Sequence, residues 1–199
     1  MNAILDGFRR LADFKGRDRR SRFWPYALTV VGLSFVGLWL GMIPAMTAIF
    51  EQASAVAATH PEAATVISGP GHYSVEIHDE AFMPDMGPFF LVLRIGVAAI
   101  VILLAAAVTR RLHDTGRAGY WGLPPVIFLT LCLTAFPTVM ARLMAEEGPD
   151  ISLFMLLFLN NFLYIASLIG LIILLSLDSK TTANRYGPPA IQPQPASFN

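Results

Sequence analysis

The sequence predicts an all-α membrane protein of four transmembrane helices, with both termini in the cytoplasm and an amphipathic interfacial helix at the N-terminal end. Three observations carry this. Of the 199 residues, 55% are hydrophobic and 14% charged, where a soluble domain averages roughly 25% charged, and the mean hydropathy is +0.57. Four nearly uncharged stretches of 26, 20, 21 and 27 residues occupy 25–50, 89–108, 120–140 and 151–177. The basic residues are distributed on one side of these stretches. The single cysteine, Cys132, leaves no disulfide framework and no multi-cysteine metal site.

The lead, 1–24, opens with Ile4, Leu5, Phe8, Leu11 and Ala12 at helical spacing, while Asp6, Arg9, Arg10 and Asp13 take the other side. We read this stretch as an interfacial helix ended by Gly16. Its apolar face meets either the headgroup region or the underside of the bundle, and periodicity alone does not separate the two. The first apolar stretch follows a lead too long for a secretory signal peptide.

At about 1.5 Å rise per residue, each of the four stretches crosses a hydrocarbon core of roughly 30 Å as a helix. None shows the period-2 alternation of a barrel strand. The loop 51–88 is acidic, with Glu51, Glu62, Glu76, Asp79, Glu80 and Asp85 and no basic residue. Its alanine-rich start extends the first helix towards Pro61, Ser68 to Gly71 reads as a turn, and Tyr73 to Ile77 as a short strand. The hairpin 109–119, the short loop 141–150 and the tail 178–199 complete the chain. Past Asn184 the tail is rich in proline and glutamine and reads as disordered.

Orientation follows from the arginines and lysines. The lead holds seven, the hairpin holds Arg110, Arg111 and Arg117, and the tail holds Lys180 and Arg185, whereas the other side holds only Arg142. The positive-inside rule then puts the lead, hairpin and tail in the cytoplasm.

The polar signal is densest in the hairpin. If the second helix reaches Asp114, Arg110 and Asp114 lie one turn apart and pair, and Gly116 takes a left-handed cap. Tyr120 and Trp121 anchor the third span at the interface, and Pro124 and Pro125 fall in its first turn, where proline costs least. A second cluster, Phe14, Gly16, Arg17, Arg20, Phe23 and Trp24, precedes span one. A third, Asn184, Arg185, Tyr186, Gly187 and Pro188, follows span four.

These clusters carry a resemblance. Phe-x-Gly-Arg-x-x-Arg-x-x-Phe-Trp over 14–24, Arg-Arg-Leu-His-Asp-x-Gly-Arg-x-Gly-x-Trp over 110–121, and Asn-Arg-Tyr-Gly-Pro over 184–188 resemble the bacterial inner-membrane family known as domain of unknown function 805. The resemblance implies a four-helix protein of the inner, or plasma, membrane. It implies no reaction, substrate or cofactor.

The residues themselves point to a face for anionic lipid headgroups or a partner protein, made of Arg17, Arg20, Trp24, Arg110, Arg111, His113, Asp114, Gly116, Arg117, Trp121, Asn184 and Arg185. Planar guanidinium groups match phosphate oxygens in two-pronged hydrogen bonds. The same charges also serve simply to set topology. Asp114 is the acid among the hairpin arginines, with Arg110, Arg17, Arg20 and Arg185 as candidate partners. His113 beside Asp114 has the composition of a proton relay, though a lone dipeptide is weak as a motif. Arg94, shallow in span two, snorkels outward or pairs with Asp85, Glu146 or Glu147.

Asn160 and Asn161 suit hydrogen bonds between helices, and Gly37, Gly41 and Ala45, like Ala166 and Gly170, suit close packing within the bundle or between copies. His60, His72 and His78 have no standard zinc spacing. No nucleophile motif, phosphate loop or metalloprotease helix appears. The balanced charge, 14 basic against 14 acidic residues, gives no footprint for nucleic acid. The expectation is therefore a non-enzymatic membrane protein without cofactor or metal. The competing class, a small transporter or channel subunit, needs a polar path that these spans do not supply in a monomer.

Overall fold

The computed structural model describes residues 2–144 and 151–189. Glu146, Glu147 and Asp150 of the short loop, and the proline- and glutamine-rich end from 190 onward, lie outside the described residues. The chain is mostly helical: α1 (Ala3–Arg9), α2 (Arg20–Thr59), α3 (Gly87–Asp114), α4 (Leu123–Met144) and α5 (Ile151–Ser176), with a β-hairpin of β1 (Ala64–Gly69) and β2 (His72–Ile77). Four of these helices, α2 to α5, are long and apolar enough to cross a membrane. Their surfaces fit that role, because large residues such as Leu28, Trp39, Ile102, Phe158 and Phe162 are exposed.

The helices run past the apolar stretches that announce them. Helix α2 takes in the alanine-rich segment as far as Thr59 and stops beside His60, where the following Pro61 disfavours helical backbone. Helix α3 continues through the two arginines to Asp114. A short 3-10 turn, Gly119–Gly122, carries Tyr120 and Trp121, both exposed, and Pro124 and Pro125 sit in the first turn of α4.

Two compact units are present. One is Leu33–Ala98, and the other comprises the chain up to Gly32 and from Ala99 onward. In the first of these, Gly41 lies against Val92 and Gly96 against Leu38, so glycine brings the two helix segments close. The hairpin is antiparallel, with Ala64 opposite Ile77 and Gly69 opposite His72. Gly71 at φ +74° makes the two-residue turn after Pro70. Phe50 and Tyr73 meet edge to face at 5.7 Å, and the Asp85 carboxylate accepts the Gly87 N–H at 2.8 Å where α3 begins. The hairpin is a departure from a purely α fold, and the sequence reading finds only its second strand. Arg94 lies on the exposed surface of α3.

The other unit holds the main core: Phe23, Tyr26, Ala27, Val30, Ala107, Leu112 and Leu175. Tyr26 donates its hydroxyl to the Leu103 carbonyl at 2.7 Å, which satisfies a polar group in an otherwise apolar cluster. Helix α1 spans seven residues and ends before Arg10, well short of Gly16. Phe8 and Leu11 pack against this core, and Phe8 meets Tyr26 edge to face at 5.2 Å. Leu5 and Ala12 of the same apolar face are exposed, so the protein covers that face only in part. Asp6, assigned by periodicity to the solvent side, is buried, because Arg10 and Arg22 come to its carboxylate at 3.7 and 3.2 Å. On α5, Asn160 donates to the Phe128 carbonyl of α4 at 3.0 Å, an interhelical bond of the kind worth about 0.6 to 2 kcal/mol in membranes. Gly170 faces open space, so it makes no close-packed contact among the described residues.

Candidate functional site

Helix α3 ends by a local device. Gly116 at φ +81° allows its N–H to reach the His113 carbonyl at 2.9 Å and the Arg117 N–H to reach the Leu112 carbonyl at 2.8 Å. This paired closure satisfies carbonyls that a helix terminus leaves open. It also holds Arg110, Arg111 and Asp114 in the last turn, all three buried. A β-carbon at Gly116 would stand 2.6 Å from Lys180 Nζ.

Around that last turn the lead and the segment after α5 close into one polar knot. Asp114, with no exposed surface, accepts from Arg111 Nη1 at 2.6 Å and from Arg17 Nε at 3.1 Å. Arg111 also donates to the Leu175 carbonyl at 2.9 Å and to that of Leu177. Arg17 reaches the carbonyls of Thr182 at 2.9 Å, Gly187 at 3.3 Å and Lys180. Arg110 donates to Asp18 at 2.6 Å and to the carbonyls of Arg10 at 3.0 Å and Asp13. Arg10 joins the second carboxylate oxygen of Asp18 at 3.2 Å. Its hydrogen bond to Asp13 holds that carboxyl below the usual range.

Three buried guanidinium groups thus face two buried carboxylates and a set of main-chain carbonyls. Isolated buried charges are costly, and such a cluster persists only when nearly every donor has a partner. Two of those carbonyls, Leu175 and Leu177, lie at the C-terminal end of α5, where Arg20 also caps Ser176 at 3.2 Å and pairs with Asp178. The arginines supply what the end of that helix lacks, both hydrogen bonds and positive charge.

The pairing differs from the one read at helical spacing. Arg110 goes to Asp18 rather than to Asp114, because the lead passes beside it, with the Asp18 N–H on the Arg110 carbonyl at 3.2 Å. The i, i+3 partner Arg111 takes Asp114 instead. Of the other candidate partners only Arg17 reaches Asp114; Arg20 goes to Asp178, and Arg185 lies 4.7 Å over the Tyr186 ring. His113 does not share a partner with Asp114. Its ring stacks on Tyr186 at 3.7 Å, its Nδ1 faces the Gly16 carbonyl at 3.3 Å, and its own carbonyl accepts from Asn184 at 3.0 Å. The dipeptide therefore has no relay geometry. Trp24 packs beside Phe23 on the core, while Trp121 is half exposed in the 3-10 turn before α4.

The structure brings Arg17, Arg20, Arg110, Arg111, His113, Asp114, Gly116, Asn184 and Arg185 into one assembly. It also splits them. Arg17, Arg110 and Arg111 are consumed inside, whereas Lys15, Arg19, Arg20, Lys180 and Arg185 are exposed and Arg117 is partly so. Asp18 and Arg10 are the members that sequence reasoning misses. Among the described residues, no group of three histidine, cysteine or acidic side chains converges as a metal site. His60 instead pairs with Glu62, and His78 with Thr65.

Residues 11–188 match the family model described as a protein of unknown function, DUF805. No curated protein and no solved structure matches the chain.

Proposed function

The chain belongs to the DUF805 family of proteins of unknown function, and from that premise we propose a non-enzymatic, multi-pass protein of the bacterial inner membrane whose cytosolic face binds anionic lipid headgroups or a partner protein. Both termini are cytoplasmic in this reading, since the lead, the hairpin and the exit carry nearly all the basic residues. One observation carries the binding role. The knot uses Arg17, Arg110 and Arg111 for its own carboxylates and carbonyls, yet it presents Lys15, Arg19, Arg117, Lys180 and Arg185 at its surface. Each exposed cation beside an anionic leaflet adds about 1 kcal/mol of attraction. The buried arginines act one step back, as the frame that fixes where the exposed ones stand.

The test separates these two sets. Arg19→Gln, Arg117→Gln and Arg185→Gln together should lower the anionic phospholipid or partner protein that co-purifies in mild detergent, with the melting temperature unchanged. Arg111→Gln should instead destabilise the protein. Unchanged lipid and partner content in the triple variant would end the proposal.

A further inference from the structure

Within the unit that carries the knot, α3, α4 and α5 enclose an apolar groove of about 500 Å³, inside the roughly 300 to 1,000 Å³ of small-molecule sites. Its walls include Leu104, Val126, Leu129, Leu168 and Leu171, each partly buried, and its mouth is edged by Phe14 and Tyr120, both exposed. Along α3 it runs from Ile100 to Thr109, about 13 Å at 1.5 Å per residue.

The lining stretches of α3, α4 and α5 belong to helices long and apolar enough to cross a membrane, so hydrocarbon is the medium at this groove. Left empty, it forfeits dispersion contacts on every lining atom. Water does not fill it, because a cavity water needs two to four polar partners and this wall offers few. An apolar slot of this length, open to a bilayer, suits a length of acyl chain.

The mouth supplies the other half. Gly119 and Phe14 both line the groove. Arg117 stands two residues before Gly119, within about 8 Å along the chain, and Lys15 directly follows Phe14. Unlike Arg110 and Arg111, neither Arg117 nor Lys15 has a side-chain hydrogen bond or ion pair among the described residues. We propose that this groove is a phospholipid site: one acyl chain lies between α3, α4 and α5, and the phosphate sits against Arg117 and Lys15. The phosphate end rests on the headgroup-binding role proposed above, whereas the chain end stands independently of it.

The experiment reconstitutes the full chain in phosphatidylcholine vesicles containing a minor fraction of phosphatidylglycerol with a diazirine on one acyl chain. After irradiation, labelled residues are mapped by mass spectrometry, and a parallel sample carries the diazirine on phosphatidylcholine. Label should concentrate at least five-fold on Leu104, Leu129 and Leu168 over the outward-facing Ile102 and Ile173. Ala105→Phe, which fills the slot, should bring the groove down to the outward level. If that variant fails to insert, the wild-type map decides alone. Arg117→Gln should keep the groove label and reduce the preference for phosphatidylglycerol about three-fold. Even labelling of groove and outward faces overturns the proposal, as does a groove shielded from lipid by a second copy of the chain. Groove labelling that is equal for the two lipids and indifferent to Arg117→Gln overturns the phosphate contact while upholding the chain site, and the headgroup role is then decided separately by the triple variant.

Discussion

Asp114 joins two guanidinium groups from opposite ends of the sequence while having no exposed surface. Asp114→Asn keeps the size and removes the charge, leaving Arg17 and Arg111 buried with their positive charge uncompensated. Breaking a buried pair in this way costs about 3 to 5 kcal/mol. Asp178→Asn breaks a pair whose acid is 86% exposed, and exposed pairs are worth about 0 to 1 kcal/mol. In detergent, the first variant should melt well below the wild type and the second close to it; equal melting points would mean the knot carries no net electrostatic cohesion. That these residues gather is legible in the sequence, because three arginine-bearing motifs share one side by the positive-inside rule. The partner assignments are not. Asp18 stands in the run Gly-Arg-Asp-Arg-Arg, where it reads as one acid diluted in a basic lead, and nothing local marks Arg17 as buried and Arg19 as exposed. Charge pattern reports the side of a membrane; it does not report which guanidinium will find a carbonyl.

At the scale of elements, the docking of α1 by the Asp6–Arg22 pair and the Phe8–Tyr26 contact depends on one close approach. A β-carbon at Gly7 would fall 2.2 Å from Cδ2 of Tyr26, so the helix docks only because that position has no side chain. Gly7→Ala should release α1 while α2 to α5 stay formed, seen as faster tryptic cleavage after Arg9 and Arg10. Gly37→Ala, with open space around it, is the control and should cleave at the wild-type rate. Cleavage unchanged by Gly7→Ala would show that the contact does not hold the helix. The four long helices are legible because length and apolarity suffice to announce them. Strand β1 is not, since Ala-Thr-Val-Ile-Ser-Gly lacks the alternation of a half-buried strand, and in fact Thr65 to Gly69 is exposed on both faces. The docking of α1 is equally hidden, because an amphipathic face matches lipid or protein alike, and the glycine that decides it sits inside an ordinary helical pattern.

For the whole molecule, the expected arrangement puts the loop 51–88 outside and the hairpin 109–119 inside. In a Cys132→Ala background, Ser74→Cys should react with an impermeant thiol reagent in intact cells, and Ala118→Cys only after permeabilisation. Labelling of Ala118→Cys from outside would reverse the topology. The main core and the polar knot both belong to one unit, whereas the lipid-facing sides of the long helices make few buried contacts. The knot's bonds join residues as far as 170 positions apart, as between Arg17 and Gly187. Synthesis proceeds from the N-terminus at about 5 to 20 residues per second, so the partners supplied by Leu175 to Gly187 emerge after the arginines they join. Insertion and completion are therefore separate events in the life of each molecule. A chain halted before Leu175 can hold its first membrane helices, yet Arg17 and Arg111 still lack their carbonyls. In this protein the latch joins the lead to the segment after α5, and it cannot close until the last of the four long helices has emerged.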